Sequence, residues 1–186
     1  VQDAAGTMVS LNAAFYVIKA TSAPSIADNQ PGDDAWRSTN TAVYNVDFQS
    51  GGGSALSYFQ TKVTTAPGQG GILVQDWTTV VSGINSDLYV TDWGLLPPVT
   101  AYVSVRVFDQ AGNNSALTDA FYVKKDTIPP AVADNQTGDG VWRNAAGSLY
   151  NVDFQDNLSG LATAQYTAWT GPGQTGTNLK TWTDIA

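Results

Sequence analysis

The chain contains no cysteine, no histidine and no glutamate, and all sixteen of its acidic residues are aspartate. Each absence excludes something. Without cysteine there is no disulfide framework, no thiolate nucleophile and no thiolate metal site. Without histidine and glutamate the usual nucleophile–base pairs are missing, and general acid–base work falls to Asp, Tyr or Lys. A pair of Asp carboxylates can serve a glycosidase. Most aspartates here, however, sit in Gly/Asn/Pro-rich turns, where a carboxylate caps backbone N–H groups. The chain therefore reads as non-enzymatic. Eight basic residues against sixteen acids give a net charge of −8, which supplies no basic patch for a nucleic acid. No apolar run approaches the ~20 residues a membrane-spanning helix needs. No basic-then-apolar leader opens these residues, so the signal of an exported protein is expected outside them.

What remains is rich in Asp, Asn, Gly and Thr, with 42 % hydrophobic and 11 % aromatic residues over 186 positions. That is a globular composition, and its polar part favours turns and strands over helices. One stretch repeats. Residues 27–49 return as residues 133–155, with 14 of 23 aligned positions identical at an offset of 106. The shared residues include Asp28-Asn29-Gln30, Trp36-Arg37 and Tyr44-Asn45-Val46-Asp47-Phe48-Gln49. Self-similarity at that spacing predicts tandem modules with a period near 106 residues. Residues 1–20 align with the last strand or strands of such a module, 21–126 with a complete one and 127–186 with the first part of the next. In the first piece, Val1-Gln2-Asp3-Ala4-Ala5-Gly6 aligns with Val107-Phe108-Asp109-Gln110-Ala111-Gly112, and Ala14-Phe15-Tyr16-Val17 with Ala120-Phe121-Tyr122-Val123.

Strand signals follow in order. Tyr44, Val46 and Phe48 alternate along one face. Residues 56–65, 72–81 and 87–93 are further candidates, with a Pro67-Gly68-Gln69 loop that recurs at Pro172-Gly173-Gln174. The clearest signal is 99–107, where Val99, Ala101, Val103, Val105 and Val107 face one way. A turn at 109–114 then leads into 117–123, which is a β-hairpin. Strands at such intervals predict a β-sandwich. Pro129 and Pro130 stiffen the junction between modules. The apolar strand expected over 13–18 would leave backbone donors unpaired if it stood alone. It is expected to pair with a neighbouring subunit or with chain outside these residues.

The run Val103-Ser104-Val105-Arg106-Val107-Phe108-Asp109-Gln110-Ala111-Gly112-Asn113-Asn114-Ser115 resembles the closing hairpin of prokaryotic (bacterial and archaeal) immunoglobulin-like repeats. Asp126-Thr127-Ile128-Pro129-Pro130 is similar to the joins between those repeats. Asp156-Asn157-Leu158-Ser159-Gly160-Leu161 looks like one of their turns, from which Ser50-Gly51-Gly52-Gly53 departs. The resemblance implies an all-β fold of tandem Ig-like β-sandwich modules in large exported surface proteins: stalks, fibres, sheaths, surface layers, adhesins, or accessory domains of secreted enzymes.

Site candidates follow from the same residues. Ca²⁺ takes oxygen ligands from Asp, Asn and carbonyls. Asp28, Asp33, Asp34, Asp109, Asp126, Asp134 and Asp139 fall at module ends and junctions, where an ion would stiffen an array. The plainer account makes them turn residues. Trp36 and Trp142, with Trp77 and Trp182, recur as pairs and are either sugar-stacking platforms or core aromatics, the second being simpler. Asn113, Asn135 and Asn157 open N-glycosylation sequons. Phe15, Tyr16 and Val17 form the candidate inter-subunit strand, to be paired with another copy or a further repeat. The expected role is that of an extracellular, cell-surface structural segment. Alternatives are an adhesin module that recognises a glycan or host receptor, and an accessory domain of a secreted enzyme.

Overall fold

The computed structural model describes residues 1–30, 32, 34–41, 44–82, 93–136, 138, 140–145 and 149–185. The fold is all-β. In chain order the strands are β1 (Ser25–Asp28), β2 (Trp36–Arg37), β3 (Val46–Gln49), β4 (Leu56–Ala66), β5 (Gly70–Ser82), β6 (Thr100–Asp109), β7 (Asn114–Lys125), β8 (Ala131–Asp134), β9 (Val152–Gln155), β10 (Gln165–Gly171) and β11 (Thr175–Asp184). A five-stranded, curled mixed sheet has the order β2-β7-β6-β4-β5. Its pairs are antiparallel except at one edge, where Trp36↔Lys124 and Arg37↔Lys125 run parallel. The remaining strands form three antiparallel ladders, β1–β3, β8–β9 and β10–β11.

The β6–β7 hairpin follows its alternation. Ala101, Val103, Val105 and Val107 are fully buried, whereas Tyr102, Arg106 and Phe108 are half-buried on the opposite face, where Ser104 alone is buried. A bulge between Val103 and Val105 shifts the register of β7 and puts Asp119 at φ 52°. In the β4–β5 hairpin the recurring Pro-Gly-Gln loop has positive φ at both Gly68 (69°) and Gln69 (59°), the turn geometry that matches strand twist.

The β1–β3 ladder packs on the valine face of the five-stranded sheet. Tyr44, which precedes β3, stacks on Phe121 with ring centroids 4.5 Å apart, and Phe48 stacks on Phe59 at 4.7 Å. Val46, Phe59, Val63, Leu96 and the β6 valines complete one apolar core, with Ile26, Phe48 and Trp93 packed against it. Close-packed contact between two such faces supplies most of the stabilisation such a unit has.

Most of the candidate strand at 87–93 lies outside the described residues. Trp36 and Trp77 are half-buried and do not belong to the core cluster; Trp93 packs against the core instead. A cation stands beside each ring, Lys124 Nζ 5.9 Å from the centre of Trp36 and the Arg106 guanidinium 4.4 Å from that of Trp77, but Lys125 Nζ also stands 5.5 Å from that of Trp93, so it is the side of the sheet each ring lies on that decides. Lys124 and Arg106 extend from the half-buried face. Finally, residues 14–18 join no strand ladder, and Ala13 before them lies in a turn at φ 54°.

Candidate functional site

The repeated motif builds a polar clasp. Asp28 Oδ1 accepts the Gln30 amide at 3.2 Å, and Gln30 Oε1 accepts the Asn45 amide at 2.5 Å. Asn29 Nδ2 donates to Asp47 Oδ2, and the Asn29 amide to the Asn45 carbonyl at 3.3 Å. The same bonds recur in the second copy: Asp134 to Gln136 at 3.2 Å, Gln136 to Asn151 at 2.7 Å, Asn135 to Asp153 at 2.6 Å and Asn135 to Asn151 at 3.1 Å. These side chains close the open end of the ladder where strand pairing stops. Burial raises the Asp28 carboxyl above the ordinary range, against the lowering effect of its bonds to Gln30.

The other described aspartates are also engaged. Asp34 Oδ1 accepts from Tyr122 Oη and Lys124 Nζ, each at 2.9 Å, and the bond to Asp34 raises both partners' pKa values. Asp109 accepts the Asn113 amide at 2.8 Å and Asn113 Nδ2 at 2.9 Å. The Asn113 side chain is the main reason its carboxyl lies below the usual range. Asp126 Oδ1 accepts the Ile128 amide at 2.9 Å and Oδ2 the Ser159 amide at 3.1 Å, so one carboxylate spans the junction. Bonds from Ser159 and Ile128 lower its pKa, the Ser159 side chain most of all. Among the described residues, no three acidic side chains gather as a metal would require. Asp33 and Asp139 lie outside the described residues.

The sequon asparagines differ. Asn113 Nδ2 is bound to Asp109 and, at 3.2 Å, to the Ala20 carbonyl; Asn135 Nδ2 is bound to Asp153. Asn157 is exposed, and its Oδ1 accepts Gln155 Nε2 at 2.7 Å.

The two copies of the motif part company in burial. Tyr44 and Val46 are 3 % and 0 % exposed, whereas their counterparts Tyr150 and Val152 are 59 % and 38 % exposed. In the second copy the ladders β8–β9 and β10–β11 leave an open groove of about 480 Å³, lined by Val132, Val152, Phe154, Leu161, Tyr166 and Trp182. A second apolar surface lies at the other end of the chain, where Phe15, Tyr16, Val17 and Ile18 are all more than three-quarters exposed. These two surfaces are what the sequence reading reached only in part. The apolar run at 15–17 was legible from its alignment with 121–123, though it forms no strand here, and the groove needed the burial of residues 44–48 for comparison.

On the half-buried face of the five-stranded sheet, Tyr58 stacks on Phe108 at 4.6 Å, and Arg106, bound to Gln60 Oε1 at 2.6 Å, lies between Trp77 and Phe108. These rings are engaged by one another and by the cation, the pattern of cross-strand pairs that support a sheet. Comparison with protein-family models, with curated proteins and with solved structures finds no match to this chain.

Proposed function

We propose that the chain is a stretch of tandem Ig-like β-sandwich modules, with a repeat period near 106 residues, from a non-enzymatic extracellular structural protein of a prokaryotic cell surface. Its work is mechanical, in a stalk, fibre, sheath or surface layer. The observation that carries this reading is the duplicated register. Ser25↔Gln49 through Asp28↔Val46 in the first ladder is matched by Ala131↔Gln155 through Asp134↔Val152 in the second, 106 residues on. Strand order gives further support: a parallel edge strand beside a closing hairpin, facing a shorter ladder, fits a Greek-key sandwich. The join suits a load-bearing array, because Pro129 and Pro130 stiffen it and Asp126 bonds to both sides of it.

The test is made on cells of the source organism. An antibody against residues 21–126 should label intact cells and mark a fibre or layer in extracted surface material at regular intervals. Label that appears only after the cells are permeabilised refutes the reading. An adhesin, the second reading, draws on the aromatic face around Trp77; specific binding on a glycan array, lost in Trp77→Ala, would favour it over the scaffold.

A further inference from the structure

Asp126 follows β7 directly, and its amide donates to the Arg37 carbonyl at 2.9 Å, which prolongs the parallel edge pairing with β2. Its carboxylate serves the other side of the join. Oδ1 accepts the amide of Ile128, two residues on, and Oδ2 that of Ser159, thirty-three residues on. The residue is 7 % exposed, and hydrogen bonds to an ionised acceptor are roughly twice as strong as neutral ones. The neighbouring Lys125 works inward instead, donating to the carbonyls of Trp93 at 2.9 Å and Leu96 at 2.7 Å.

The local bond and the distant one do different things. The bond to Ile128 is an Asx turn, which sets the direction in which the linker leaves the sheet. The bond to Ser159 reaches the turn that follows β9, so it ties the β8–β9 ladder to the sheet. That turn is itself braced: Asp156 Oδ1 accepts the Leu158 amide at 3.0 Å and the Gly160 amide at 2.7 Å. A tie at Ser159 therefore carries through to β9. Pro129 and Pro130 fix φ at their own positions only, and leave Thr127 and Ile128 to be held by something else.

The equivalent join, 106 residues earlier, is made differently. Ala20 stands in the place of Asp126, Ala23 in that of Pro129 and Gly53 in that of Ser159. The same segments still meet, because a Cβ built on Gly53 would lie 3.5 Å from that of Ala20. Ala20 has only backbone to offer, and its carbonyl accepts Asn113 Nδ2 at 3.2 Å. One meeting of chain segments thus occurs with a carboxylate across it and once without, and the second has one proline fewer.

We propose that Asp126 is a latch that fixes the orientation of the β8–β9 ladder against the five-stranded sheet, and that joins of two stiffnesses follow one another along the chain, a latched one at Asp126 and a more compliant one at Ala20. This rests on the tandem-module reading and deepens it, since an array with both kinds of join bends at the unlatched ones first. The latch works through the Ser159 amide, so a change at Asp126 alters the angle between units and leaves each unit's core alone.

The experiment uses the whole 186-residue chain, whose lack of cysteine allows two spin labels to be placed at chosen sites. Ala116→Cys on β7 and Ala133→Cys on β8 are exposed positions, as is Ala27, the counterpart of Ala133 in the complete unit. Double electron–electron resonance then reads the spread of distances between the labels. The parent chain should give one narrow distribution. Asp126→Ala should widen it, and so should Asp126→Asn, which turns an N–H toward one of the two amides. Ser159→Ala should add nothing once Asp126→Ala is in place. Asp126→Ala with Pro129→Ala, the residues of the earlier join, should give the widest spread. The urea midpoint should stay at the parent value in Asp126→Ala, because the bonds lost go to Ile128 and Ser159, outside the core. A parent distribution that is already broad, or one that neither Asp126 variant widens, overturns the proposal. Widening by Pro129→Ala with none by Asp126→Ala assigns the stiffness to the prolines and overturns it too. Each of these failures leaves the surface-labelling test of the tandem structural reading untouched.

Discussion

The same residue type at two equivalent positions gives a direct measure of what holds the complete unit together. Phe121 is 2 % exposed, opposite Val103 on β6, with its ring stacked on Tyr44 at an interplanar angle of 3°. Phe121→Ala removes the ring and leaves a cavity that rigid neighbours on two strands cannot collapse to fill. Such substitutions cost about 3–5 kcal/mol, and loss of a stacked partner places this one toward the upper end. A domain of this size is stable by about 5–15 kcal/mol, so a large share of the total is lost. With a urea dependence of about 1–3 kcal/mol per molar, the unfolding midpoint should fall by roughly 2 M. Phe15→Ala, made at an 82 % exposed position, should move the transition by no more than about 0.5 kcal/mol. The assay is urea unfolding followed by tryptophan fluorescence and far-UV circular dichroism, with protein dilute enough that the midpoint is independent of concentration. Equal shifts for the two variants would refute the packing of β3 against β7.

Gly32→Ala pushes a methyl into the Tyr122 ring and breaks its bond to Asp34; thermal melts should show a loss of about 1–3 kcal/mol, whereas Gly138→Ala, with no neighbour, should cost under about 0.5. Equal effects would contradict the burial difference between the two copies. For Asp109, whose carboxyl titrates below 3.8 in the folded chain, the unfolded state binds the proton first. Its contribution to stability is therefore complete above 3.8 and is lost as pH falls through the lower, folded value. Asp109→Asn cannot titrate, so the drop in urea midpoint between about pH 6 and about pH 3 should be smaller than in the parent chain; an unchanged drop would sink the assignment. Millimolar Ca²⁺ should raise the melting temperature no further than Mg²⁺ does, because the described candidate carboxylates already accept N–H or O–H donors. A rise of several degrees with Ca²⁺ alone would make those turns ion sites.

Local pattern was legible where the pleat alone decides it. Val103, Val105 and Val107, with Tyr44 and Val46, were predicted to be buried and are, since period-two alternation fixes which side a residue faces; Val99 and Phe48 of the same two patterns are half-buried. Long-range partners were not legible. The parallel contact of β2 with β7 is two residues long and carries no pattern. The tryptophans show the same limit. Arg106 stands on the polar side of the valine alternation, so any ring against it must be outside the core. That Trp77 is that ring depends on β4–β5 bulges between Phe59 and Ala66, which no alternation encodes. The clasp did leave a trace: Asn29 and Asp47, eighteen residues apart, are both kept at 135 and 153. Reading that joint retention as a bond required the antiparallel register.

The two copies of the motif separate what is set locally from what is set by packing. Every clasp bond forms in both, although only one copy has its core face covered. Those bonds join residues within about twenty positions and close at little loop entropy. They fix where the ladder ends without requiring the rest of the unit. Burial of Tyr44 and Val46, by contrast, waits on a hairpin that lies more than fifty residues further along. Apolar contact is the larger source of stability, and a hydrogen bond at an exposed ladder end contributes little net. The strength of this packing therefore rests on β4, β6 and β7, while β1 and β3 supply the face they cover.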